Sequence, residues 1–147
     1  MNIEGLDSEF ERGISLFNRR EFYKCHDSIE DVWLQESSDR QAFLQGLIQA
    51  AVAFHHYQNN KWGAARSMLK LALNNLSSYP PKFEKFDLLN LVKSLTAWKN
   101  ALDVALQKSP RPNQIDLVYP TIKHLDGTEK RYTRDNIDSK LENREYS

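Results

Sequence analysis

Residues 1–79 contain no proline, and all five prolines of the 147-residue chain fall at 80, 81, 110, 112 and 120. Proline lacks a backbone donor and clashes with the turn before it, so the first half is free to be helical and the second is punctuated. Apolar spacing then divides that half into segments. Ser8 followed by Glu11 has capping-box spacing, and Phe10, Ile14 and Phe17 recur behind it at helical intervals, which predicts a first helix over about 8–19. Beyond the polar stretch 18–21, Phe22, Cys25, Ile29, Val32 and Trp33 carry a second helix to about residue 35. Ser38 or Asp39 caps a third, whose wide stripe of Phe43, Leu44, Leu47, Ile48, Ala51 and Phe54 makes it the most buried and ends near Asn59 and Asn60. Trp62, Ala65, Leu69, Ala72, Leu73 and Leu76 mark a fourth, which Tyr79-Pro80-Pro81 stops. Asp87 caps a fifth, carrying Leu88, Leu91, Leu95, Trp98, Leu102 and Leu106 before Pro110.

The expected fold class is therefore all-α: a compact bundle of about five helices, two antiparallel helical hairpins plus a covering helix. Sliding the chain by 40 residues pairs Ile14 with Phe54, Phe17 with Tyr57, Phe22 with Trp62, Ile29 with Leu69 and Trp33 with Leu73, so the two hairpins read as similar units. The segment Ile115 to Leu125 is apolar enough to return across the bundle as an extended arm, with His124 expected at the surface. Residues 1–125 thus form one expected helical domain. Residues 126–147, with 11 charged residues among 22, read as a solvated or loosely docked charged tail.

Charge and composition exclude several functions. The 20 Lys and Arg balance 20 Asp and Glu, and no basic run exceeds two residues, so the footprint that nucleic-acid binding requires is missing. The first twenty residues carry Glu4, Asp7, Glu9 and Glu11 with no apolar region, and the longest apolar stretch, 50–54, is far too short for a membrane span. A cytoplasmic location is expected, and the single cysteine, Cys25, fits a reducing compartment and reads as core. The glycines at 5, 13, 46, 63 and 127 never cluster into a phosphate cradle; Gly46 and Gly63 read as points of close helix approach. No G-x-S-x-G occurs, so a nucleophilic serine is not indicated.

One polar constellation stands out. His26 and Glu30 lie four residues apart on the second helix and project from one face, and Gln45 and Gln49 share that spacing on the third. If these helices are antiparallel neighbours, residues whose numbers sum to about 75 face one another: Glu30 meets Gln45, His26 meets Gln49, and His56 reaches the first turn near Arg19. Phe22, Ile29, Trp33, Leu44, Ile48 and Val52 alternate with the seam and partly desolvate it, so each polar group needs a partner. Three readings stand side by side. The seam is a hydrogen-bond network that fixes helix register. Alternatively, Glu30 and His26 form a general acid/base pair. In the third, a metal sits on His26 and Glu30 with His56 or His55 completing the set, although neither E-x-x-H nor H-E-x-x-H occurs there. Tyr57, Trp62 and Tyr79 at hairpin ends, with Tyr23 on an outer face, read either as a partner surface or as rings closing the core.

The run Glu21-Phe22-Tyr23-Lys24-Cys25-His26-Asp27-Ser28-Ile29-Glu30-Asp31-Val32-Trp33, followed by Phe43-Leu44-Gln45-Gly46-Leu47-Ile48-Gln49-Ala50-Ala51-Val52-Ala53-Phe54-His55-His56, resembles the uncharacterised bacterial and plastid family called "domain of unknown function 309". The resemblance continues through Asn60-Lys61-Trp62-Gly63-Ala64-Ala65 and covers about residues 9–80, more loosely to about 107. Its pattern of His, Glu four later and Trp three after that falls on His26, Glu30 and Trp33, and its third-helix pattern on Gln49 and His56. Relatives often carry Glu after the histidine, where Asp27 stands here. The resemblance implies a compact helical fold and no established reaction. The leading functional expectation is a binding or interaction module for a protein or small molecule, homo-oligomers included. The alternative is a small enzyme, with or without a metal, using His26 and Glu30 with His56 as acid/base groups or as ligands; the identity of any cofactor is left open.

Overall fold

Helices form where the apolar spacing places them. A computed structural model describes residues 3–36 and 39–125, with α1 at Ile3–Asn18, α2 at Phe22–Leu34, α3 at Gln41–Gln58, α4 at Trp62–Leu76 and α5 at Leu88–Leu106. Each helix packs chiefly on its neighbour in sequence, α3 on α4 most extensively, giving a mostly helical, compact molecule. Phe17, Phe22, Phe43, Phe54 and Trp98 are fully buried at its centre. Several meet edge to face, as Phe17 with Phe22 at 5.1 Å and Phe54 with Trp98 at 5.1 Å, the geometry that ring quadrupoles favour. The expected charged tail, 126–147, lies outside the described residues.

Helix starts differ from expectation in two places. α1 begins at Ile3, so Ser8 lies inside it and does not cap it; Leu6 extends the apolar stripe one turn earlier and packs on the core. At α3 the N-cap is Arg40, with no side-chain cap bond, and Ser38 lies outside the described residues. The Tyr79 hydroxyl serves instead, accepting from Phe43 N at 3.0 Å and donating to the Asp39 carbonyl at 2.6 Å. A distant residue thus satisfies an orphan first-turn amide. At α5 the expected cap is in place: Asp87 Oδ1 accepts from Asn90 N at 3.1 Å.

The period of 40 extends to the backbone. The turns after α1 and α3 each place a non-glycine residue in the left-handed region, Arg20 with φ 67° and Asn60 with φ 61°. Glu21 N donates to Leu16 O and Lys61 N to His56 O, both at 2.9 Å, and Arg20 N and Asn60 N donate to Phe17 O and Tyr57 O at 2.9 and 3.0 Å. Every bond has its counterpart 40 positions on, which is the Schellman pattern made twice. Gly46 permits the close α3–α4 approach: a Cβ there would lie 2.7 Å from Leu76. Gly63 has no such role, because nothing lies within 4 Å of its missing Cβ.

Between α4 and α5 the chain forms a short antiparallel ribbon that the apolar spacing does not signal, β1 at Lys82–Phe83 and β2 at Phe86–Asp87. It receives the returning arm. Asp87 N donates to Lys123 O at 2.8 Å and Leu125 N to Lys85 O at 2.7 Å. His124 is accordingly buried, not at the surface: its ring packs on Phe86 at 4.8 Å and its Nε2 lies 2.8 Å from Glu11 Oε2.

Candidate functional site

His26 and Glu30 meet as their spacing requires, with Nε2 2.8 Å from Glu30 Oε2. The other ring nitrogen, Nδ1, lies 3.2 Å from Asp27 Oδ1. The group sits at the surface, not in a buried seam: the His26, Glu30 and Asp27 side chains are 27%, 44% and 61% exposed. The glutamines are not its partners. Gln45 is exposed, and Gln49 turns toward α4, where its Oε1 accepts from Asn75 Nδ2 at 2.7 Å. The antiparallel course of α2 and α3 is as expected, with Tyr23 at the start of one against His55 at the end of the other, ring centroids 5.2 Å apart. The face that α3 turns to α2 is not the one carrying the amides: Gln45 points to solvent and Gln49 to α4.

The remaining candidates scatter. His56 is half-buried beside His55, centroids 6.2 Å apart, and burial first, then the charges of His55 and Lys61, hold its pKa below the ordinary imidazole value. Among the described residues no three His, Cys, Asp or Glu side chains converge to hold a metal ion, so His26, Glu30 and His56 do not form a ligand set. Trp33 packs partly buried on the core. Cys25 is fully buried, and burial raises its thiol pKa far above normal, which leaves it inert. Asp31, one turn from Asp27, has its carboxyl pKa raised, by burial first and then by Glu9, Asp27 and Glu30 against the opposing Arg12.

Two polar features escaped the spacing argument. Between α1 and α2, Arg12 Nη1 bonds to Glu9 Oε2 at 2.7 Å and donates to Ser28 Oγ at 3.0 Å, while Ser28 Oγ lies 2.5 Å from Glu9 Oε2 and 2.9 Å from the Glu9 carbonyl. All three side chains are buried. Their signal in the sequence was only that Glu9 and Arg12 share the helix face of Leu16 and Ser28 that of Cys25 and Val32. The second feature is a cleft of about 440 Å³ at the end of the molecule where both left-handed turns lie. Arg20, Gln58 and Asn60 line one side, the rings of Tyr57, Trp62, Trp98 and Tyr119 form its wall, and residues 113–118, at the start of the arm, close it.

The cleft is held by specific bonds. Trp98 Nε1 donates to Val118 O at 2.9 Å, Ile115 N to the Tyr57 hydroxyl at 2.6 Å, and Gln58 Nε2 to Arg20 O at 3.3 Å across the two turns. Tyr119 stacks on Trp98 at 5.5 Å with the Arg20 guanidinium 4.8 Å from its ring centroid. Burial and the Tyr57 phenol push the Tyr119 pKa up, against a hydrogen bond with Gln58 and the Arg20 charge. Tyr57 and Trp62 are therefore buried walls of this cleft, not an exposed partner surface, whereas Tyr23 is exposed.

The helices that carry both the His26–Glu30 pair and the first half of the cleft form one recognisable unit. Residues 10–68 match the family model described as a domain of unknown function, DUF309. The matched stretch runs from Phe10 to Met68 and so takes in α2, α3 and both left-handed turns; the arm residues that complete the cleft lie beyond it. The chain is also similar to an uncharacterised protein of Aquifex aeolicus (strain VF5), 29% identical over 73 residues, or 49% of this chain and 22% of that protein. This chain therefore matches less than a quarter of that relative's length. No helix among the described residues is long and apolar enough to cross a membrane.

Proposed function

We propose that the chain is a cytoplasmic binding module, built from two similar helical hairpins, whose ligand surface is the cleft at their turn end. The supporting observation is the cleft itself: about 440 Å³, within the range of small-molecule sites, with aromatic walls and a few placed amides and charges. A second reading, a small enzyme using His26 and Glu30 as acid and base, is supported by their 2.8 Å contact. That reading is the weaker because each imidazole nitrogen already faces a carboxylate, at 2.8 and 3.2 Å, so a substrate must displace one to reach the ring.

The deciding measurement is amide and indole shift mapping by NMR as a mixture of cellular metabolites is titrated into the full chain. The expected result is saturable shifts at the indoles of Trp62 and Trp98 and at residues 113–119. Shifts centred on His26, Glu30 and His55, with the cleft resonances unmoved, would overturn the cleft reading in favour of the second.

A further inference from the structure

The arginines of the described residues divide into two groups. Arg12 pairs with Glu9 at 2.7 Å, Arg19 with Glu21 at 3.2 Å, Arg40 with Glu84 at 2.6 Å and Glu36 at 3.1 Å, and Arg66 with Asp103 at 2.5 Å. Arg20 and Arg111 make no ion pair with a described residue; each lies over an aromatic ring instead, Arg20 4.8 Å from the Tyr119 centroid and Arg111 5.1 Å from that of Trp62. Both rings are walls of the one cleft.

A guanidinium over a ring face is fixed in place by the cation–π contact while its in-plane N–H donors stay directed outward. Arg20 lines the cleft and Arg111 lies over its wall ring Trp62 without lining it, so in a chain whose formal charge is zero two cations stand in or beside one cleft. Two further features have the same sign. α4 begins at the wall residue Trp62 with no side-chain cap, which leaves its positive end uncompensated, and Lys61 precedes it. Among the lining residues Asp116 is the one carboxylate.

Resting on the reading of the cleft as a ligand site, we infer that it takes a small organic anion, a carboxylate or phosphate on a compact apolar body, with Arg20 and Arg111 as counter-charges. The oxyanion accepts from the guanidinium donors, the body lies against the edges of Tyr57, Trp62 and Tyr119, and the carboxamide of Asn60 supplies a neutral donor beside it. Asp116 works against the anion and restricts how much negative charge the cleft accepts.

Phenyl phosphate, benzoate and the neutral isostere benzamide serve as probes, titrated into the full chain and followed at the Trp62 and Trp98 indoles by NMR. The expected result is saturable binding of at least one anion, weakened about tenfold or more in both Arg20→Gln and Arg111→Gln and strengthened in Asp116→Asn, with benzamide far weaker. The tighter of the two anions assigns the oxyanion. Arg111 and Asp116 are exposed, so the opposite signs expected of their variants do not depend on a change in folding. Benzamide binding as tightly as benzoate, unchanged by the arginine variants, would overturn the anion inference and leave the cleft a ligand site. Absence of binding by all three probes up to about 10 mM also overturns it, while the metabolite titration separately decides the cleft reading.

Discussion

The spacing of His26 and Glu30 was legible because an interval of four on a helix fixes a shared face whatever surrounds it. Their burial was not, because it depends on the rotation of α2 and α3 about their axes, which turns Gln49 to Asn75 and leaves the pair at the surface. This sets what a substitution does. A partly exposed ion pair contributes little, so His26→Ala is expected to cost no more than about 1 kcal/mol in urea unfolding. A loss of about 3 kcal/mol would restore the buried network. Asp31 behaves differently, since burial and three neighbouring carboxylates raise its folded pKa. A raised carboxyl favours the fold below its ordinary value, and that contribution is lost as pH rises through the raised one. Asp31→Asn is therefore expected to be more stable than the parent at neutral pH, the difference vanishing as pH falls below about 4. Thermal melts across that range check it, and a parent more stable at pH 7 would contradict the assignment.

At the scale of elements, four of the five helices lie within a residue or two of their predicted bounds, because proline position and apolar period are both local signals. What was not local was missed: the Tyr79 hydroxyl that caps α3 from 36 residues away, and the ribbon at 82–87. The two glycines assigned to close packing separate cleanly. Gly46→Ala drives a methyl to 2.7 Å from Leu76 and is expected to destabilise by about 1–3 kcal/mol. Gly63→Ala enters open space on a helix and should stabilise by up to about 1 kcal/mol. Chemical denaturation of both variants tests the pair, and equal effects would remove the α3–α4 contact as the reason. The duplicated turn yields another expectation. Asn60 tolerates its φ of 61° through its short side chain, so Asn60→Gly should be neutral or slightly stabilising and Asn60→Ala should lose about 1 kcal/mol. Equal melting of the two variants would mean the left-handed turn is not maintained in solution.

For the whole molecule the decisive element is the arm, whose return across the bundle was legible as an apolar segment but whose anchorage was not. No periodicity marks Asn18 as its clasp, yet the Asn18 side chain donates from Nδ2 to Ile122 O at 2.9 Å and accepts at Oδ1 from Ile122 N at 2.7 Å. Asparagine is suited to this because its amide presents a donor and an acceptor together, as a backbone neighbour in a sheet would. Ile122 is itself buried, His124 seats on Phe86 and Glu11, and Trp98 and Tyr57 hold the stretch that closes the cleft. The arm therefore ties residues 115–125 back to α1 and completes the cleft in the same course. The Asn18→Leu variant removes both bonds while keeping the same branched set of side-chain heavy atoms, leaving the Ile122 amide and carbonyl without partners, a loss of about 1–3 kcal/mol. Because the arm is held by separate bonds at Asn18, Tyr57 and Trp98 and not by a continuous ladder, the loss is expected to appear as local opening and not as global unfolding. Hydrogen exchange should show the amides of Ile115, Ile122 and Leu125 exchanging faster while those in the middle of α3 keep their parent rates. The cleft, deprived of its closing segment, should bind its ligand more weakly in the same variant. Uniform acceleration in α3 as well would mean that the arm is part of one cooperative unit with the bundle, and that cleft and core cannot be uncoupled.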